Sequence, residues 1–330
     1  MFIVYLFAFL VLLTLITLAI KLNELRMGKI KVAKELQQAT VKKIPSFGTV
    51  KNLRILPLID FYADRKELRT EPGVSYLIQA DDTKILLDVG YNEKKEHPSP
   101  LLQNMEKLNV SLNDLEMIFI SHIHLDHIGG MKEQQERTFS ISQGPVQLPE
   151  IPVFAPDNIS PSKWNPAPKV NILRDPAIIK PGIASTGVIP RYLFIMGYTL
   201  EHSLVINVEG KGLVLIIGCG HQTIERIVEK VQQTFTEPIY AIIGGLHYPI
   251  KGGRIIKGPL DMQYIVGSDS PPWNGLNEKD VKQAVAVLKK VDPKIISLSA
   301  HDSSDWSIEQ FKKAFENQYL ELKVGKEIIV

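Results

Sequence analysis

The sequence predicts one N-terminal membrane-spanning helix followed by an α/β body, and three observations support this. Residues 1–20 are almost entirely apolar and carry no charged side chain. The rest of the chain alternates apolar strand-length runs with helix-period stretches. With 330 residues, 45% hydrophobic and 22% charged, the composition is that of a globular protein. A disordered chain, a collagen-like fibre and a disulfide-rich miniprotein are therefore excluded.

The apolar segment, residues 1–20, has the length that an α-helix needs to cross a bilayer. A cleaved signal peptide is the alternative, but no Lys or Arg precedes the run and no clear small-x-small cleavage site follows it. Residues 21–44 carry seven Lys and Arg against two Glu. The positive-inside rule then places this side of a single-pass membrane protein, with the body at 45–330, in the cytoplasm. The single cysteine agrees with a reducing compartment. We expect the basic segment either to lie on anionic lipid headgroups or to form a solvated spacer helix.

The body shows apolar runs of strand length with helical stretches between the later ones, which indicates mixed α/β architecture in one domain. The predicted strands are Val74–Gln79, Lys84–Asp88, Met117–Ser121, Pro152–Phe154, Leu204–Val208, Leu213–Ile217, Ile239–Ile243 and Ile295–Leu298. The predicted helices are Leu101–Leu108, Ile224–Gln233, Glu278–Lys290 and Ser307–Asn317. The first two strands are separated by a short polar turn and predict a hairpin. Residues 145–170 and 249–275 are rich in turn-forming residues and resist assignment, as loops that cover a site often do.

Histidines concentrate at the ends of the predicted strands, where ligands bind in α/β sheets. Those directly after an apolar strand are His122, His124, His221, His247 and His301. In the densest segment, His122, His124, Asp126 and His127 place four potential metal ligands within six residues. Strand alternation puts the first two on one side, and the following turn allows the other two to face the same point. Imidazole suits zinc and iron, and carboxylate suits manganese. We expect one or two ions, zinc first, with manganese or iron as alternatives.

The pattern His122-x-His124-x-Asp126-His127 after an apolar strand resembles the signature of the metallo-β-lactamase superfamily. The upstream run Lys84–Gly90 is similar to the superfamily's earlier strand, whose terminal aspartate, here Asp88, supports the metal loop. Within the superfamily the chain looks most similar to the dihydropterin–ribofuranosylaminobenzene phosphate synthase-like hydrolases. The segments that carry this second resemblance are Ile151–Pro156, Gly218–His221, Gly244–His247 and His301 after its strand. The resemblance implies an αββα sandwich for the body.

Roles for the individual residues follow from the pattern together with this resemblance. The expected metal ligands are His122, His124, Asp126, His127, Cys219, His221 and His301. Asp126 is alternatively the general base for water, and His247 is either a ligand or a catalytic contact to an oxyanion. Cys219 stands where the superfamily usually has a bridging aspartate, so a small buried hydrophobic residue is the other interpretation. Tyr198 occupies the position of a histidine ligand in many superfamily members.

The predicted function is a membrane-anchored hydrolase in which metal-activated water attacks a small carbonyl- or phosphoryl-containing metabolite. The branch resemblance adds a phosphate-bearing, pterin-like or other cyclic substrate. A non-hydrolytic pterin- or phosphoribosyl-type synthase and a catalytically inactive metal-stabilised membrane scaffold are the alternatives. No nucleic-acid partner is expected, because the body has 31 Lys and Arg against 34 Asp and Glu and no basic stripe. The sequence leaves the substrate, the metal and the oligomeric state open.

Overall fold

The computed structural model describes residues 1–40, 42–258 and 260–330. The helices are α1 Phe2–Gln38, α2 Pro100–Lys107, α3 Leu125–Ile128, α4 Met131–Glu136, α5 Ile224–Thr234, α6 Met262–Val266, α7 Glu278–Val291 and α8 Asp305–Phe315. The strands are β1 Leu53–Ile59, β2 Ser75–Ala80, β3 Thr83–Leu87, β4 Met117–Phe119, β5 Thr138–Phe139, β6 Pro152–Ala155, β7 Ser160–Pro161, β8 Lys169–Ile172, β9 Ala177–Lys180, β10 Ile183–Ser185, β11 Ile189–Leu193, β12 Gly197–Glu201, β13 Leu204–Val208, β14 Gly212–Ile217, β15 Ile239–Gly244, β16 Ile256–Lys257, β17 Leu260–Asp261, β18 Ile295–Leu298 and β19 Ile328–Ile329.

Two sheets stack face to face in the body. One has the strand order β19-β1-β2-β3-β4-β6-β8 and the other β18-β15-β14-β13-β10-β9. Apolar side chains from both sheets, such as Tyr76 and Ile216, form one buried layer between them. Helices α5, α7 and α8 cover the outer face of the second sheet, and α2 covers that of the first. This is the αββα sandwich that the sequence predicts.

Strand β14 shows why the second sheet needs helices on its outer face. Its side chains alternate between the two layers, with Val214 and Ile216 toward the other sheet and Leu213 and Leu215 toward α5 and α7. A strand that is apolar on both faces has to be covered on both. Strands β14, β15 and β18 are parallel and are connected through α5 and α7. Their carboxyl ends therefore meet at one edge of the sandwich.

All the predicted strands and helices are present, with ends shifted by at most two residues. The hairpin is also present, since Ala80 pairs with Thr83 across the turn between β2 and β3. The sequence analysis missed β1, which Pro57 interrupts at a register shift, and the hairpin of β11 and β12. The two segments that resisted assignment contain short elements, including β7 and β8 in the first and α6 with β16 and β17 in the second.

Helix α1 continues well beyond the apolar segment and packs on the body. Its most apolar window has a mean hydropathy of 2.8 and no buried residues, so α1 is a candidate membrane span. Further along, Leu25, Gly28 and Val32 are buried. Gly28 lies against the ring of Tyr192 on β11, where any Cβ would overlap the ring. The basic segment is thus helical through residue 38, as a spacer would be, but one of its faces is packed on the body.

We expect the variant Gly28→Val to separate the second half of α1 from the hairpin of β11 and β12. The added side chain overlaps Tyr192, and overpacking of this kind costs about 1–3 kcal/mol. Hydrogen exchange at residues 189–201 of the full chain should become faster. The matched control is Met27→Val, since Met27 is 52% exposed. Equal protection of the hairpin in both variants would contradict this packing role.

Candidate metal centre

The segment that carries the histidine cluster is held by the buried carboxylate of Asp88, at the end of β3. This carboxylate accepts hydrogen bonds from the backbone N–H of Ser121 at 2.7 Å and from the Ser121 hydroxyl at 2.6 Å. It also accepts from Nδ1 of His127 at 2.6 Å. Because the Ser121 hydroxyl proton goes to Asp88, Nδ1–H of His122 donates to the Ser121 oxygen at 3.0 Å. Nδ1 of each imidazole is thus engaged, and Nε2 is the nitrogen left to bind a metal when the ring is neutral.

A third histidine is oriented in the same way from the other sheet. The buried carboxylate of Asp60, after β1, accepts from the hydroxyl of Ser299 at 2.5 Å and from the N–H of Ala300 at 3.1 Å. Nδ1–H of His301 then donates to the Ser299 oxygen at 2.5 Å. The lone pair of His301 Nε2 is left to face Cys219. Sequence analysis did not identify Asp60, because its partners lie 239 and 240 residues away.

The thiol of Cys219, just after β14, lies in the middle of the cluster. Its Sγ is 3.0 Å from Nε2 of His127 and 3.1 Å from Nε2 of His301. Three groups of potential ligands share it, and in each group the ligand atoms lie within 4.8 Å of one another. One group adds Asp126 to these two histidines, another joins Cys219 to His122 and His221, and the third contains His247 and Asp302. Cys219 is thus common to all three potential metal positions.

The other predicted site residues, His124, His221 and His247, lie beside the same cluster. Nδ1 of His124 is 3.2 Å from Nε2 of His221, and the ring of His247 is centred 4.4 Å from that of His221. The third group of potential ligands consists of Cys219, His247 and Asp302. Asp302 is fully buried and accepts the backbone N–H of His247 at 3.0 Å. The sequence analysis assigned no role to Asp302, although it directly follows His301.

The turn that carries Cys219 and His221 is held by Glu201, at the end of β12. The Glu201 carboxylate accepts backbone N–H groups from Cys219 at 3.1 Å, Gly220 at 2.7 Å and His221 at 2.9 Å. Burial raises the pKa of Glu201 to about 7, while these N–H groups act in the opposite direction. The sequence alone does not single out Glu201 as a site residue, because its three partners come from a distant turn.

Burial keeps most of the clustered imidazoles neutral, which is the form that binds metals. It lowers the pKa of His124 and His247 to about 3. It lowers the pKa of three further histidines well below the usual value, namely His122, His221 and His301. At His127 burial also lowers the pKa, but Asp126 and Asp88 raise it to about 9. The carboxylates thus favour a positive charge at this point. Burial raises the pKa of the Cys219 thiol well above its usual value.

The donor set fits a metal centre. Among the described residues, Nε2 of His122, Nδ1 of His221 and both ring nitrogens of His247 are buried without a hydrogen-bond partner. An unsatisfied buried polar group costs about 1–3 kcal/mol, so four in one cluster favour a function for them. Imidazole nitrogen and cysteine sulfur are the donors that zinc prefers, and iron also accepts them. The predicted ligands and His247 all lie in or beside this cluster.

Tyr198, which the superfamily resemblance places at the position of a histidine ligand, does not lie in the cluster. It is 37% exposed and donates to Glu35 of α1 at 2.5 Å. Neighbouring residues of a strand point to opposite faces, so the next residue of β12, Thr199, points to the cluster instead. Its hydroxyl oxygen lies 3.4 Å from Nε2 of His124.

Comparison with known proteins defines the class. The model of the metallo-beta-lactamase superfamily matches residues 68–256, more than half of the chain. The chain therefore belongs to the metallo-beta-lactamase superfamily, which confirms the predicted family and fold. It is 28% identical over 244 residues to 7,8-dihydropterin-6-methyl-4-(beta-D-ribofuranosyl)-aminobenzene-5'-phosphate synthase of Methanocaldococcus jannaschii, covering 61% of this chain and 80% of that protein.

Two solved structures are similar in fold. Tm1679, a metal-dependent hydrolase of the beta-lactamase superfamily, has a TM-score of 0.54 at 19% identity and covers 84% of this chain and 99% of its own. The metallo-beta-lactamase fold protein YhfI from Bacillus subtilis has a TM-score of 0.51 at 15% identity and covers 85% and 100%. At these identities the likeness concerns the fold alone.

We expect Asp88→Asn to weaken metal binding by 10- to 100-fold, because the amide cannot accept from Ser121 and His127 as the carboxylate does. Competition with a chromophoric chelator measures the affinity. The matched control is Asp82→Asn, at an exposed position of the turn between β2 and β3. An affinity of Asp88→Asn equal to that of the control would mean that Asp88 does not orient the ligands.

The cobalt-substituted full chain should show a near-ultraviolet thiolate-to-cobalt charge-transfer band, because a thiol that binds a metal is deprotonated. Cys219 is the single cysteine, so the assignment is unambiguous. Cys219→Asp should lose this band and retain bound cobalt, since a carboxylate replaces the thiolate. A cobalt-loaded protein without the band would show that Cys219 is a packing residue.

Proposed function

We propose that the protein is a membrane-anchored metal-dependent hydrolase. The observation that supports this best is the buried cluster of imidazole, carboxylate and thiol donors around Cys219. One carboxylate of the cluster, Asp126, is at its rim with 17% of its side chain exposed. A purely structural zinc site is closed by four protein ligands, whereas a hydrolytic site keeps a position open to water. The superfamily membership agrees with this proposal.

The residues around the cluster divide between binding and proton transfer. A bound zinc or related ion would lower the pKa of water toward neutrality and so supply a nucleophile. His122, His124 and His221 would hold the ion through neutral ring nitrogens. Asp126, at the rim, accepts the proton that the attacking water releases. Both ring nitrogens of His247 lack a hydrogen-bond partner among the described residues, and its N–H donates to the oxygen that becomes negative on the substrate.

The cellular location is the second part of the proposal. Helix α1 is long and apolar enough to cross a membrane, and a window of it has no residue buried in the body. A signal sequence passes the same test of length and composition. The Lys and Arg residues follow the apolar segment, which favours a retained anchor with the body on the cytoplasmic side. The packing of residues 25–36 on the body agrees with α1 being part of the mature protein.

A synthase is the second candidate, and the similarity to the synthase of Methanocaldococcus jannaschii favours it. The two reactions differ in the use of water. A hydrolase transfers one oxygen atom from labelled water to a product, whereas a synthase joins two substrates without doing so. Mass spectrometry of the products of any substrate that is turned over distinguishes the two.

We expect His124→Ala to reduce hydrolysis of phosphodiester or lactone test substrates at least 1,000-fold, about the loss expected for removing a metal ligand or positioned catalytic group. Asp126→Asn should lower kcat roughly 100- to 10,000-fold, as for loss of a general base. Both are measured on the full chain in detergent, with metal content determined by mass spectrometry. His97→Gln is the control, because His97 contacts Ser142 instead of the cluster. Absence of bound transition metal after metal-supplemented expression would overturn the proposal.

A further inference from the structure

Helix α1 and strand β11 run in opposite directions where they pack together. Near the end of α1, Leu36 and Ala39 line a cavity together with Pro190, at the start of β11. Earlier in α1, Gly28 lies against the ring of Tyr192, two residues further along β11. The turn at the far end of β11 therefore points along α1 toward its apolar segment.

This turn reaches the level at which the apolar segment of α1 ends. Ile195 is three residues beyond Tyr192, at most roughly 10 Å at 3.3 Å per residue, and the same distance along α1 from Gly28 ends at about residue 21. Burial agrees with this geometry, because Leu18 and Lys21 are partly covered whereas their neighbours along the helix are exposed. The body thus accompanies α1 as far as the end of the apolar segment.

The hairpin tip, residues 194–196 between β11 and β12, is apolar. It consists of Phe194, Ile195 and Met196, and Ile195 is 45% exposed. Surface turns usually carry Gly, Asn, Asp or Ser, which suit the backbone of a turn and interact with water. An exposed apolar residue at the end of a hairpin is significant when it belongs to a larger apolar patch, because such patches mark interaction sites.

Trp273 extends the apolar surface of the hairpin tip. Its ring and that of Phe194 are centred 6.2 Å apart in an edge-to-face arrangement. The backbone N–H of Phe194 donates to the carbonyl of Ser268 at 2.9 Å, which holds the tip against the loop that carries the tryptophan. Trp273 is 65% exposed, and residues 270–277 carry no charged side chain. The tip and Trp273 therefore form one apolar surface.

Basic side chains of α1 follow directly after the apolar segment, beside this surface. Two of them are paired, since Lys21 contacts Glu24 at 2.7 Å and Lys29 contacts Asp269 at 3.7 Å. Their attraction to anionic headgroups is reduced by these carboxylates. Transfer of apolar side chains out of water is thus the main contribution that this surface offers to a partner.

We propose that the hairpin tip and Trp273 dock the body on a lipid bilayer, with Ile195 and Trp273 inserted at the level of the headgroups. The inference rests on the proposed membrane anchor and adds the surface that the body turns toward the bilayer. Tryptophan suits this position because its ring is apolar and its N–H is polar. The bilayer is favoured over a second copy of the chain because the surface lies where the apolar segment of α1 ends.

Fluorescence quenching of the full chain in phosphatidylcholine nanodiscs tests this surface. Lipids brominated on the acyl chain near the headgroup should quench Trp273, and iodide in the water should not. The chain has three tryptophans, so Trp273→Phe isolates the contribution of this residue and should lose the quenching by brominated lipid. Trp273 is largely exposed, and the variant therefore keeps the core intact.

Ile195→Asp should lower the ratio of docked to undocked protein roughly tenfold or more, because a large apolar side chain is no longer removed from water. The matched control is Ile178→Asp on β9, where the isoleucine is 51% exposed. This strand follows Asp175, which lies near the other end of α1 with Ala39. The control should be quenched as the unaltered chain is. Metal content and thermal unfolding verify that both variants are folded.

Quenching of Trp273 by iodide and not by brominated lipid, in a chain that has entered the nanodiscs, would overturn the inference and leave the anchor intact. Equal lipid quenching of Ile195→Asp and Ile178→Asp would also overturn it. Protection of Trp273 from iodide only when two copies share a nanodisc would assign the surface to self-association instead. A chain that does not enter nanodiscs would refute the anchor and the surface together. Metal content and turnover test the hydrolase function separately.

Discussion

The contact between Gly218 and Ser121 is the constraint on which the rest of the site depends. These residues follow β14 in one sheet and β4 in the other, and a Cβ at residue 218 would overlap the serine hydroxyl. Glycine alone allows the two strand ends to approach this closely. The approach brings Cys219 of the second sheet to 3.0 Å from Nε2 of His127 of the first. The packing of the two sheets thereby brings the donor side chains of two separate strand ends into one cluster.

Buried carboxylates then fix the direction of the ligands. Asp88, Glu201 and Asp60 each accept hydrogen bonds from a loop that another element supplies. Burying these charged carboxylates costs free energy, and burial accordingly raises the pKa of Asp60 to about 6. The hydrogen bonds that each carboxylate accepts offset this cost. The result is that three imidazoles present the same nitrogen, Nε2, to the centre.

Helix α1 is connected to this centre through a short series of contacts. Lys29 of α1 contacts Asp269, Asp269 contacts Arg191, and Arg191 donates to the carbonyl of His221. The backbone N–H of Phe194, from the same hairpin as Arg191, also donates to Ser268 at 2.9 Å. Helix α1 is therefore linked to the predicted ligand His221 through two side chains, and this part of the helix and the body form one structural unit.

The local sequence pattern was sufficient to predict much of the secondary structure of this protein and part of its candidate site. The order of strands and helices, the apolar span and the ligand types in residues 122–127 follow from the sequence, because alternation and helical period are properties of neighbouring residues. Tertiary structure alone decided that Thr199, not Tyr198, faces the cluster, and that Asp60 and Asp302 border it. It also placed Cys219 where three donor groups meet. These features depend on contacts between the two sheets, across up to 240 residues of chain, which no local pattern encodes.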